Sequence, residues 1–141
     1  MPVTVDEVRD ILFIPIVVPL ILASFLIICL LSDTYRRFRK KTLTKKSILS
    51  DLLFIAFFIW SGWQATNRHI TDYINAQVHV TVGYVENSSH TGALHRSIRV
   101  EGYRNYRFAQ FSGYPEVRSG ITYRIYYTPI TRTIIRAVPI N

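Results

Sequence analysis

At roughly 100 to 200 residues per domain, 141 residues leave room for one small domain with an appendage, which excludes a large multidomain enzyme. The composition, 49% apolar and 18% charged with a net charge of +8, is close to that of a soluble protein. The mean hydropathy of +0.17 nevertheless averages two unlike halves: residues 11–31 hold no Asp, Glu, Lys or Arg, whereas residues 64–141 hold nine Arg, four acids and eight of the nine Tyr.

Thr4, Val5, Asp6 and Glu7 fit the capping pattern T-x-x-E, which starts the first helix near Val5. The uncharged run at 11–31 is 21 residues long. As a helix it covers about 31 Å, the thickness of a bilayer core. The residues before it carry Asp6, Glu7 and Asp10 against Arg9, and no small-x-small cleavage site follows, so it reads as an uncleaved anchor rather than a signal peptide. Pro15 and Pro19 predict a kink within this helix, or a break after a short interfacial piece. Cys29 reads as an inert thiol, and as the only cysteine it leaves no internal disulfide.

Residues 32–50 gather Arg36, Arg37, Arg39, Lys40, Lys41, Lys45 and Lys46 against Asp33, a net charge of +6. So cationic a short loop stays on the cytoplasmic side, placing both termini outside a plasma (inner) membrane and offering the loop to anionic lipids. A second apolar run spans 48–67 with one acid, Asp51, near its start and Trp60 and Trp63 at the far end, where indoles favour the headgroup level. Ser47 is the expected cap of this helix, which puts Asp51 in its first turn, a structural position at the positive end of the dipole. Residues 1–66 are thus expected to form a two-helix transmembrane hairpin. Ile70, Tyr73 and Ile74 at helical spacing extend it as a stalk over 67–77.

From Val78 the period becomes two. Val78, Val80, Val82 and Tyr84 alternate with His79, Thr81 and Gly83, and further half-buried strands follow at 94–101, 103–111, 121–128 and 131–138, punctuated by Gly102, Gly113, Pro115, Gly120 and Pro129. Five strands in so few residues suggest that 78–141 is an extracytoplasmic antiparallel β-barrel of the OB or SH3-like kind, because closure removes exposed edges. The fold class is therefore α+β, a membrane hairpin followed by a small barrel. Ile121, Tyr123, Ile125 and Tyr127 are the expected core of one strand. Its other face offers Arg124 and Tyr126, and with Arg99, Arg104 and Arg107 these form a candidate surface for an anionic ligand or partner. The plainer reading pairs such arginines with Glu86, Glu101 and Glu116. Ile134 and Ile135 are adjacent, so the last strand is either buried on both sides or touches another protein.

His69, His79, His90 and His95 lack zinc-ligand spacing, and no phosphate-cradling glycine loop, nucleophile motif or carboxylate pair occurs, so no catalytic residue, metal or cofactor is expected. A hairpin followed by a five-stranded barrel resembles the architecture of the small bacterial NfeD-type proteins, whose barrel is OB-like. The resemblance carries over no functional residue, and the charge rule puts the present barrel on the side opposite to theirs. The expected function is that of a non-enzymatic accessory subunit in a larger integral-membrane complex, with other membrane subunits as partners. The alternative is a membrane-anchored binding module for anionic lipid headgroups or acidic envelope polymers. Nucleic acid is not an expected partner.

Overall fold

The computed structural model describes residues 1–90, 95–103, 107–111 and 116–140, the side chains of His90 and His95 excepted. Two helices, α1 (Val5–Arg39) and α2 (Lys45–Asn75), precede five strands: β1 (His79–His90), β2 (His95–Val100), β3 (Phe108–Phe111), β4 (Thr122–Tyr127) and β5 (Ile134–Pro139). The chain forms two compact units, one of residues 16–67 and one of residues 1–15 with 68–141.

In the first unit, α1 continues without interruption through Pro15 and Pro19, so neither proline breaks it. The helix closes with Lys41 in the left-handed region (φ 55°). There the Lys41 N–H donates to the Phe38 carbonyl and the Thr42 N–H to the Arg37 carbonyl, both at 3.0 Å, a Schellman closure that glycine more often makes. Thr44, not Ser47, caps α2: its Oγ1 accepts from the Ser47 N–H at 3.2 Å. Residues 40–44 alone link the helices, and most of the basic stretch at 32–50 is helical.

The two helices run antiparallel. A Cβ added at Gly62 would lie 3.4 Å from that of Ala23, so the small residues let the backbones approach. Elsewhere the apolar side chains are uncovered, Phe25 at 61% exposure and Leu53 at 64%. Both helices are long and apolar enough to cross a membrane.

The second unit is built on an antiparallel sheet ordered β3-β2-β1-β4-β5. It is not closed into a barrel, contrary to the expectation from strand number. Among the described residues its edge strands meet only at one isolated parallel bridge, Ala109 to Thr133, with the Ala109 N–H 3.0 Å from the Arg132 carbonyl. With four residues in β3, and β5 starting just past the bridge, no ladder develops. One face of the sheet carries the core of Val85, Ile98, Val100, Phe108, Val117, Tyr123, Ile125, Ile134 and Ala137. Tyr103 and Tyr127 set their rings edge-on to Phe108 at 5.4 and 4.9 Å. Tyr123 and Ile125 are buried and Tyr127 packs against the core, as the alternation implies, while Ile121 is exposed.

Strand β1 turns its apolar side chains outward: Val80, Val82 and Tyr84 are 53%, 55% and 44% exposed. Glycine accounts for this choice of face. Gly83 lies so close to β2 that a Cβ there would fall 2.3 Å from Val100 Cγ1. The chain then shifts register between Val85 and Asn87, a bulge that brings Ser88 opposite the buried Ile98.

Strand β5 is buried on both sides at its start and exposed at its end, at Val138 and Pro139. Its register shift pairs Tyr126 with Arg136 and Tyr127 with Ile134, leaving Ile135 as the extra residue, and both isoleucines are fully buried. Beside β5 lies the start of α1. Glu7, next to the capping contact of its N–H with Thr4 Oγ1 (3.3 Å), holds Arg136 through contacts of 3.0 and 2.5 Å, and Val8 and Leu12 are buried there. The last turns of α2 are tied to the sheet as well. The buried Asp72 carboxylate accepts from the backbone N–H groups of Ile130 (3.2 Å) and Thr131 (2.8 Å) and from Thr131 Oγ1 (2.7 Å).

Candidate docking surface

The outward residues of β1, β4 and β5 are in register. Arg124 lies between Val82 on one side and Val138 on the other, and Tyr126 lies between Val80 and Arg136. Val138 is 44% exposed, like its counterparts on β1, so Arg124 emerges from an apolar strip. It is exposed, and among the described residues no acid or hydrogen-bond acceptor engages it. Tyr126 is half-buried, with the Arg136 guanidinium 6.0 Å from its ring centroid and the Arg136 side chain itself fixed by Glu7. The face thus presents aliphatic area, a braced aromatic ring and one unneutralised cation.

The other arginines picked out by sequence do not join this face. Arg99 sits opposite Asn87, five residues along β1 from the Val82 that faces Arg124, or about 16 Å at 3.3 Å per residue. Its Nε lies 3.6 Å from Glu86 Oε2, as the plainer reading of these arginines has it. Arg107 is exposed just before β3, and Arg104 lies outside the described residues. Arg96 pairs with Glu116 at 2.7 Å.

At the turn between the helices, Arg36, Arg39, Lys40, Lys41, Lys45 and Lys46 are all exposed. Arg36, Arg37 and Arg39 lie in the last turn of α1, where the helix dipole favours cations. Arg37 has a separate task. Its guanidinium contacts Asp33 at 2.9 Å and Asp51 at 3.0 and 3.2 Å and donates to Ser47 Oγ, while Thr34 Oγ1 donates to Asp51 at 2.7 Å. Asp51 is therefore seven positions past the Thr44 cap and held by the neighbouring helix rather than by the start of its own. Trp60 and Trp63 are exposed on α2, at 59% and 58%.

Asp72, the Glu7–Arg136 pair and the Arg37–Asp51 pair make polar contacts that join distant parts of the chain, and spacing in the sequence does not single them out as a set. Their partners are 59, 129 and 14 residues away, beyond any local pattern. Comparison with family models, with curated proteins and with solved structures finds no match to this chain.

Proposed function

We propose that the chain is a non-enzymatic accessory subunit of a larger integral-membrane complex. In this reading the hairpin of residues 1–66 spans the plasma membrane with both termini outside, and the stalk of residues 67–77 leads to the β domain. That domain, residues 78–141, docks on the outer face of the partner subunits through the β1–β4–β5 surface. The observation that carries the proposal is the outward row of Val80, Val82, Tyr84 and Val138 around the unneutralised Arg124. A small domain rarely leaves contiguous apolar area uncovered unless something covers it in the assembled state. Membrane insertion is supported by the uncovered apolar side chains on both long helices. The OB-like reading of the sheet finds support in the one parallel bridge between its edge strands, the approach expected of a partly open five-stranded barrel.

In mild detergent the native protein is expected to elute well above the 16.4 kDa of one chain. Val82→Asp, which adds a charge to an exposed position, is expected to bring it down to the lone-chain mass with its melting temperature unchanged. Wild type eluting as a lone chain would remove the proposal.

The second reading, a binding module for anionic headgroups or envelope polymers, has its support in the exposed cations at the helix turn and in Arg124. It predicts binding that weakens steeply between about 0.05 and 0.5 M salt, whereas apolar docking persists. Sidedness is tested on a Cys29→Ser background with Thr42→Cys in the turn and Glu101→Cys in the β domain. An impermeant maleimide on intact cells is expected to label position 101 and spare position 42. The reverse pattern would invert the topology.

A further inference from the structure

The outward face of the sheet bears two charges of opposite sign that the chain itself leaves unmatched. One is Arg124, between Val82 and Val138. The other is Glu101. Its N–H donates to the Tyr84 carbonyl at 2.8 Å, one step beyond the Val85–Val100 pair, so it flanks Tyr84 at the rim of the same face, and like Arg124 it is exposed. Among the described residues no ion pair takes up either side chain. Two further arginines on this side are matched already: Arg99, two residues back along β2 from Glu101, by Glu86 at 3.6 Å, and Arg136 by Glu7 at 2.5 Å.

Glu101 and Arg124 stand two strand spacings apart across the sheet and two residues apart along it, or about 12 Å. They do not meet within the chain. A second copy brings them together twice. A two-fold axis lying in the face and passing midway between them, over β1 between Val82 and Tyr84, sets Arg124 of each copy over Glu101 of the other. Facing sheets pack about 10 Å apart, a gap that an arginine and a glutamate reaching from opposite sides close. Val82 and Tyr84, 55% and 44% exposed, come against their own counterparts beside the axis. Apolar contact then supplies the area, and the two charge pairs fix the register. An unrelated partner would have to supply both complements, whereas a second copy carries them already.

We infer that the occupant of the docking face is a second copy of this chain, related by that two-fold axis. The inference rests on the reading of the β1–β4–β5 surface as a docking face and names what covers it.

The test expresses the full chain alone in a host membrane, extracts it in mild detergent and measures the protein mass by light scattering. Twice the 16.4 kDa of one chain is expected. Arg124→Glu and Glu101→Arg each set like charges opposite one another at both contacts, so each should weaken association by about tenfold or more and give the lone-chain mass. The double variant restores opposite charges with the two positions exchanged and should return to twice the chain mass. Arg118→Glu makes the same charge change off the face, where the Arg118 N–H donates to the buried Tyr123 hydroxyl at 3.2 Å, and should leave the mass unaltered. Because Glu101 and Arg124 are exposed, the melting temperatures of the variant chains should match that of Arg118→Glu. A double variant that stays a lone chain, or single variants that stay dimeric, would overturn the pairing. Wild type that is a lone chain when expressed alone, yet part of a larger assembly in its native membrane, would overturn the second copy and leave the accessory-subunit reading standing. A lone chain in both settings would remove that reading too.

Discussion

Replacing Asp72 with alanine is expected to lower the stability of the unit formed by residues 1–15 and 68–141 by roughly 3 kcal/mol. Hydrogen bonds to a charged acceptor contribute about 1.5 to 3 kcal/mol each, and a stranded buried donor costs about 1 to 3. The Asp72 carboxylate accepts three such bonds, two of them from the backbone of Ile130 and Thr131. It also braces a turn that holds Arg132 in the left-handed region at φ 53°, where a side chain other than glycine is strained. The threonines nearby offset part of the loss: Thr131 Oγ1 lies 2.9 Å from Thr128 Oγ1 and 2.8 Å from Thr133 Oγ1, and the Thr133 N–H donates to Thr128 Oγ1 at 3.2 Å. The Asp72→Asn variant keeps one good acceptor and should cost about half as much as Asp72→Ala. Urea unfolding in mild detergent, followed by the near-ultraviolet signal of the tyrosines, measures the stability change, and hydrogen exchange at Thr131 measures the local one. Unchanged exchange at Thr131 in Asp72→Ala would mean that the threonines alone hold the turn.

What can be read from sequence and what cannot divides along the range of the interactions involved. Helix α1 is legible at its start because T-x-x-E is a local signal and the Glu7 N–H does meet Thr4 Oγ1. The start of α2 is harder to place, and the expected cap falls three residues late, because Thr44 and Ser47 are both competent caps. The choice between them falls to the Schellman closure at Lys41, which fixes where the chain can re-enter a helix. The strands are legible as period-two segments, but a period does not say which face is inside. In β4 the apolar set does face the core; in β1 it does not, and the difference lies in Gly83, whose missing side chain lets β2 approach. The two bulges, at Glu86 and at Ile135, each change face midway along a strand and leave no mark in an alternation pattern. As for the candidate surface, Arg124 and Tyr126 are legible as neighbours on one strand face. The grouping with Arg99 fails because register, not sequence spacing, sets distance along the sheet.

The outward facing of Val80 and Val82 therefore depends on Gly83, and this can be measured. Gly83→Ala is expected to cost about 2 kcal/mol, within the range for overpacking a closed core, because the new methyl would overlap Val100 Cγ1 at 2.3 Å and Val100, fully buried and stiff at χ1, cannot swing away. Val100→Ala alone should also cost about 2 kcal/mol by leaving a void. Combined, the two should not add. Removing Cγ1 leaves Val100 Cβ at 3.8 Å and the Glu101 carbonyl at 3.7 Å as the nearest neighbours of the new methyl, both ordinary contacts, and the methyl occupies part of the space Cγ1 gave up. The double variant should lie close to Val100→Ala alone, a coupling of about 2 kcal/mol between residues in direct contact. Additive losses in urea unfolding would show that Gly83 is needed for something other than room. In that event the side on which β1 displays its valines would need another cause. If the coupling is found, one steric fact fixes the face: Gly83 takes the side of the sheet that Val100 fills, and alternation along the strand leaves Val80 and Val82 exposed on the other.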